Sequence, residues 1–393
     1  MTPNPATPRR PRRAWFGYRA RAMAALGVEM MIYDKPKLAG TLVGVVFAVV
    51  LSLQQLSILF GLLDKNTMFV DHAGADVWIT PAGTEQLQPG APLSDAVLMR
   101  ARTTPGVAIA EPLVYSGAVI KTPMGASEPV TLIGTAAPMR LGGPWAMVAG
   151  DPDVLARPDT VIFEDAERDK LGALNLGSRR ELNGRLVTVG GFTWGLLPFG
   201  PPYAFGDIEL VRELVRAPAN QHTFVLVRVD AGEDPDEVAA RLGAALPETK
   251  VMTSAKFHDS IVGRLIADQL GVSFGTSTAF GLLVGFAIVA LSMFSSVLDH
   301  IREFGTLKAI GCTNFDLTKL LLAQSIGYAV FGSLLGMALV TGMSEGIRSP
   351  QLVPIIVPEL YLLAPAAMIL LCMLASGLAL LRVRGLEPGM VFR

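Results

Sequence analysis

Charge is what this sequence is short of. Only 17% of its 393 residues are Asp, Glu, Lys or Arg, whereas an ordinary soluble domain carries about 25%, and 51% are hydrophobic. Three runs, Leu38 to Leu63, Gln269 to Leu298 and Leu320 to Ser344, contain no charged residue, and a further apolar run fills Leu360 to Leu381. Each is long enough to cross a hydrocarbon core of roughly 30 Å, so the excess apolar surface is expected in lipid. Cysteine is equally scarce. Cys312 and Cys372 both lie outside the long central region, which excludes a disulfide framework there, and they offer no metal-ligand spacing. No His-Glu-x-x-His string occurs, and His72, His222 and His258 stand far apart. There is no Gly-Lys pair, hence no Gly-x-x-x-x-Gly-Lys-Ser/Thr loop to cradle phosphates. A net charge of −1 argues against a general nucleic-acid binder.

What is present divides the chain clearly. Residues 1–37 hold eight Lys or Arg against Glu29 and Asp34, and Trp15, Phe16, Tyr18, Met23, Leu26 and Met30 are spaced for an interfacial helix. Positive charge beside the first span (38–63) marks the cytoplasmic side. Residues 64–268 turn mixed in composition. Strand-like pieces at Val77–Thr80, Val114–Ile120, Val130–Ile133, Val161–Phe163, Leu186–Val189 and Thr223–Val229 alternate with helical ones at Asp95–Arg102, Asp165–Leu174, Asp207–Val215 and Asp234–Leu246. The stretch Ser254 to Asp268 reads as a helix running straight into the second span (269–298), a stalk between domain and bilayer. A charged loop (299–319), a third span (320–344), a short loop (345–359), a fourth span (360–381) and a basic tail (382–393) complete the plan. The sequence therefore predicts an α-helical membrane protein with four transmembrane helices and an α+β extracytoplasmic domain inserted between the first and second. Both termini are expected in the cytoplasm.

Two segments stand out as candidate sites. In Asp299 to Asn314, Ile301, Phe304, Leu307 and Ile310 recur every three residues, with Arg302, Glu303 and Lys308 off that stripe and Gly305, Ala309 and Gly311 keeping the surface low. Periodicity alone leaves two readings: a turn that rests on headgroups, or a handle for another protein. The second segment, Phe192 to Tyr203, is apolar and broken by glycine and proline. It reads either as a buried loop or as an exposed tip in which Trp194, Leu196, Leu197 and Phe199 meet a partner or a lipid tail.

The string Arg302-Glu303-Phe304-Gly305-Thr306-Leu307-Lys308-Ala309-Ile310-Gly311 resembles the R-E-x-G-x-L-K/R-A-I-G loop of FtsX/MacB-type permeases of ABC transporters. Within that superfamily it is most similar to the DevC branch, with Glu303-Phe304-Gly305 standing where Glu-Tyr-Ala is usual. Phe47 to Gln55, Asp76 to Ile79, Arg157 to Val161 and Leu171-Gly172 follow in the order the resemblance requires. It implies a non-catalytic homodimer docked on two copies of an ATPase, which would hold ATP and Mg, so that this chain needs no cofactor of its own. Arg302, Glu303, Phe304, Gly305, Leu307, Lys308, Ala309 and Gly311 would couple to that ATPase. It further implies a periplasmic adaptor (a membrane fusion protein) and an outer-membrane channel, an inner-membrane location, and outward movement of a lipid or other amphiphile without nucleic-acid partners. Rival expectations are a permease that extracts lipid or lipoprotein for a soluble carrier, and a mechanical signal transmitter that switches on a cell-wall hydrolase.

Overall fold

A computed structural model of the chain describes residues 12–138, 140–198, 200–347 and 353–384, which form two compact units. In chain order come helix α1 (Arg12–Tyr33), helix α2 (Lys35–His72), strand β1 (Val77–Pro81), strand β2 (Leu93–Ser94), helix α3 (Asp95–Arg102), and strands β3 (Val107–Lys121) and β4 (Ser127–Thr135). Strands β5 (Met147–Ala149), β6 (Thr160–Glu164), β7 (Arg179–Leu182), β8 (Arg185–Thr193) and β9 (Tyr203–Asp207) lead to helix α4 (Ile208–Val215). Strands β10 (Gln221–His222) and β11 (Phe224–Val229), helix α5 (Pro235–Ala245), strand β12 (Thr249–Thr253) and helix α6 (Ser254–Ala267) follow. Helices α7 (Gln269–Asp299), α8 (Ile301–Ala309), α9 (Asn314–Ile347) and α10 (Leu360–Arg384) close the chain.

The helical unit takes its described residues from 1–60, 273–347 and 354–393. Stretches of α2, α7, α9 and α10 are long and apolar enough to span a membrane. Between helices in lipid there is little hydrophobic driving force, so close van der Waals approach must hold them. At Gly336 of α9 a Cβ would stand 2.7 Å from Val49 Cγ1 of α2, a distance only glycine permits. Met31 of α1 is buried in the same core as Leu317, Leu320 and Leu321 of α9. Leu26 and Met30, expected on an interfacial helix, thus pack partly on protein instead.

The second unit, whose described residues come from 61–272 and 353, is a mixed sheet of ten strands with helices on it. Its order is β12-β1-β11-β3-β4-β9-β6-β8-β5, with β7 beside β3 and β8, and among the described residues only β4–β9 and β6–β8 pair in parallel. Alternation along β1 shows how strand period makes layers: Val77 and Ile79 face the core under α3 and α5, whereas Trp78 faces an aromatic cluster. Trp78 lies edge-on to Phe69 and Phe224 with ring centroids 6.1 and 5.8 Å away, and full burial of such a side chain stabilises by roughly 3 kcal/mol. Helix α5 starts as its Asp-Pro-Asp-Glu string predicts, with Asp234 Oδ1 accepting from the Asp236 amide at 2.9 Å.

Two expectations fail here. Asp165–Leu174 is no helix: a single 3₁₀ turn, Asp165–Glu167, gives way to a left-handed step at Gly172 and Ala173 (φ +89° and +51°). The predicted stalk is not continuous either. Asp268 takes an extended conformation (ψ −172°) between α6 and α7, and its carboxylate is held by Arg264 Nε at 3.1 Å.

Candidate docking site around helix α8

Helix α8 begins where α7 stops, and an ion pair fixes the junction. Lys37 Nζ at the start of α2 donates to Asp299 Oδ2 at 2.5 Å and lies 3.4 Å from Asp34 Oδ2, while Ser295 Oγ donates to the same Asp299 oxygen at 3.2 Å. After His300 the chain turns helical. Phe304 is 1% exposed in the core of the helical unit, and Leu307 packs partly against it. The helix ends at Ala309 because Gly311 adopts φ +102°, which lets Gly311 N donate to Lys308 O at 3.0 Å and Cys312 N to Leu307 O at 2.9 Å. A reciprocal cap then starts α9. Thr313 N donates to Asp316 Oδ2 at 3.1 Å, and Asp316 N returns a bond to Thr313 Oγ1 at 3.3 Å.

This geometry sorts the predicted residues. Arg302, Glu303, Ala309 and Gly311 are exposed, and Leu307 and Lys308 are half-buried. Phe304 and Gly305 are buried, so they fix the helix and do not present it to a partner. Ile310, expected on the buried stripe, is 81% exposed, because the helix has already ended and the turn swings it out. Beside the helix runs an open groove of about 740 Å³, walled by Leu26, Glu29, Met30, Ile32 and Tyr33 of α1, by His300 at the α7–α8 junction and by Glu303, Thr306 and Leu307 of α8.

The Phe192–Tyr203 segment is arranged differently. Glu164 at the end of β6 is fully buried and accepts from Thr193 Oγ1 (2.8 Å), Gly195 N (2.7 Å), Leu196 N (3.0 Å) and Ala166 N (3.4 Å). Lys65 Nζ donates to Gly195 O at 2.6 Å. Burial pushes the Glu164 carboxyl above its ordinary range, against the pull of those four donors. Leu196 and Leu197 point inward, 3% and 0% exposed, so an exposed-tip role is overturned for both, while Trp194 stays 51% exposed. Phe199 lies outside the described residues. Elsewhere in this unit His222 is buried with Asp95 Oδ1 3.7 Å away, and burial lowers its pKa to about 4. Among the described residues no group of three or more His, Cys, Asp or Glu is placed to hold a metal ion.

The sequence profile of the MacB-like periplasmic core domain matches residues 38–245, more than half of the chain, and that of the FtsX-like permease C-terminal domain matches residues 275–388. This chain belongs to the MacB/FtsX-type permeases of ABC transporters. An uncharacterized ABC transporter permease of Mycobacterium tuberculosis is 25% identical over 368 residues, covering 92% of this permease and 97% of that one. Another, of Methanocaldococcus jannaschii, is 28% identical over 138 residues, and the match spans only 33% of either chain. Among solved structures, the periplasmic region of MacB from Actinobacillus actinomycetemcomitans aligns with a TM-score of 0.38 at 11% identity, covering 48% of this permease and 94% of that region. The extracellular domain of the noncanonic ABC-type transporter YknZ from Gram-positive bacteria aligns with a TM-score of 0.34 at 14% identity, over 45% and 98%.

Three features of the permease escaped the sequence. Glu164 looked like any strand-end acid, and no local signal marks it as the acceptor for a loop thirty residues on. Lys37 and Asp299 each sit at the end of an uncharged run, a position that hints at pairing without naming the partner. The wall that α1 contributes beside α8 had no signal at all.

Proposed function

We propose that this chain is the permease subunit of an ATP-driven exporter that works by mechanotransmission. A separate ATPase, carrying its own ATP and Mg, docks on α8 at the cytoplasmic face of the inner membrane, and its closure is passed by α7 and α9 to the far side. Two copies of the chain pair with two of the ATPase, with all termini in the cytoplasm. The α/β unit, in the periplasm, displaces a lipid or other amphiphile outward toward an adaptor and an outer-membrane channel, in the manner implied by the likeness of the α8 loop to the DevC branch.

The observation that carries this reading is the division of α8 into an anchored and a free side. Phe304 is 1% exposed in the helical core, while Arg302 and Glu303 stand in solvent. A helix pinned in this way hands a push to its neighbours, whereas a loose loop would absorb it. Because Gly305 is buried, Glu303→Lys tests docking more cleanly than any bulky residue at 305. With the reconstituted permease and its ATPase, permease-stimulated ATP turnover is expected to fall roughly tenfold in Glu303→Lys, as when one charge of an apposed pair is reversed, with the melting temperature unchanged. Wild-type stimulation in that variant would sink the reading.

A further inference from the structure

Helix α1 is held against the helical core on one side and leaves apolar surface uncovered on the other. Gly27 lies so close to α9 that a Cβ there would stand 2.6 Å from Leu320 O, and Met31 is 5% exposed. Yet Ile32 and Tyr33, on the groove side, are 54% and 87% exposed. The groove they share with α8 carries two carboxylates, Glu29 and Glu303, with His300 Nδ1 3.4 Å from Glu303 Oε1, and neither Lys nor Arg lines it.

We propose that the last turns of α1 form the second wall of the ATPase socket, receiving a segment that sets a basic side chain toward Glu29 and Glu303 and an apolar one onto Leu26, Met30 and Leu307. This rests on the reading of α8 as the ATPase contact and adds to it a second helix and a recognition chemistry. Charge complementarity selects the occupant. Anionic headgroups are repelled by a carboxylate-rimmed groove, whereas a cation with an apolar neighbour gains from both of its parts. A volume of about 740 Å³ accommodates several side chains. Exposed tyrosine and isoleucine beside the charged rim supply the apolar centre that protein interfaces use.

The test measures affinity for the ATPase that co-purifies with the permease. Glu29→Lys and Tyr33→Ser are each expected to weaken binding roughly tenfold, as for loss of one interface anchor, without lowering the melting temperature of the permease. Glu303→Lys serves as the reference. If it weakens binding while Glu29→Lys and Tyr33→Ser do not, the α1 wall is overturned and the α8 reading stands. If none of the three weakens binding, or no ATPase co-purifies, both fall. In a Cys312→Ser, Cys372→Ser background, a dye on Tyr33→Cys should become shielded from solvent only when the ATPase is added. Quenching by nitroxide lipids that is the same with and without ATPase places that wall in headgroups and overturns the proposal.

Discussion

Helix α8 and the loop after β8 are both short segments that mix glycine with large apolar residues, yet they end in opposite arrangements. In α8 the amides are satisfied within the helix, so its side chains are free to divide, with Phe304 inward and Arg302 and Glu303 outward. In the loop the amides of Gly195 and Leu196 have no helix to bond to. They turn in to the buried Glu164, and Leu196 and Leu197 follow. What decides the exposure of such a segment is where its backbone donors find acceptors, before the hydrophobicity of its side chains.

The sharpest way to break this comparison is to remove the acceptor. Glu164→Ala leaves buried amides unpaired and is expected to cost on the order of 4 kcal/mol, seen as a lowered denaturation midpoint of the full chain in detergent. A loss below about 1 kcal/mol would mean that the loop holds itself in and that the carboxylate is incidental. Phe304→Ala is the matching cut in α8, expected to cost about 3 kcal/mol through the cavity it leaves, with amide exchange rising across residues 301–309. Unchanged exchange there would show that the helix is held by its ends and not by its buried ring.

A further test lies at His222, which is buried with Asp95 Oδ1 3.7 Å away. Burial lowers the pKa of His222 from 6.5 to about 4, with Asp95 opposing the shift. The unfolded chain therefore takes up this proton first as pH falls. Stability is fully present above pH 6.5 and is lost down to about pH 4, about 3 kcal/mol in all at roughly 1.4 kcal/mol per unit. Amide exchange at β2 and β10 should accelerate through that window, and His222→Gln should flatten the slope. A slope that persists in His222→Gln would assign the titration to another group.

Much of this architecture could be read from residue order, and the failures share causes. Helices α3, α4 and α5 appear within a residue or two of expectation because Asp207 and Asp234 cap α4 and α5, Asp95 stands in the first turn of α3, and each helix buries an apolar face. Strand β9 was missed. Hydrogen-bonded between β4 and β6, its residues Tyr203 to Gly206 are all buried, which erases the alternation by which strands are recognised, and Pro201 and Pro202 precede it. The 165–174 segment misled because its leucine spacing suits a helix while Gly172 and Ala173 turn the chain left-handed. At the candidate docking site, the three-residue spacing announced α8. Nothing local links residues 26–33 to 300–307, so the groove became legible only with the tertiary fold.

The smallest expected effect separates the held base of the loop from its free tip. Trp194 is 51% exposed although its immediate neighbours are locked inward, and its own amide bonds Ala146 O at 3.0 Å through the backbone alone. Trp194→Ala should therefore change stability by no more than about 0.5 kcal/mol, as surface substitutions do, in contrast to Leu197→Ala at about 3 kcal/mol. Equal losses in the two variants would mean that the indole is packed as firmly as the leucine. The loop would then be one buried unit with nothing left over for a partner, whereas a silent Trp194→Ala leaves a large aromatic at the surface on a rigid base, the arrangement from which an interface gains most per residue.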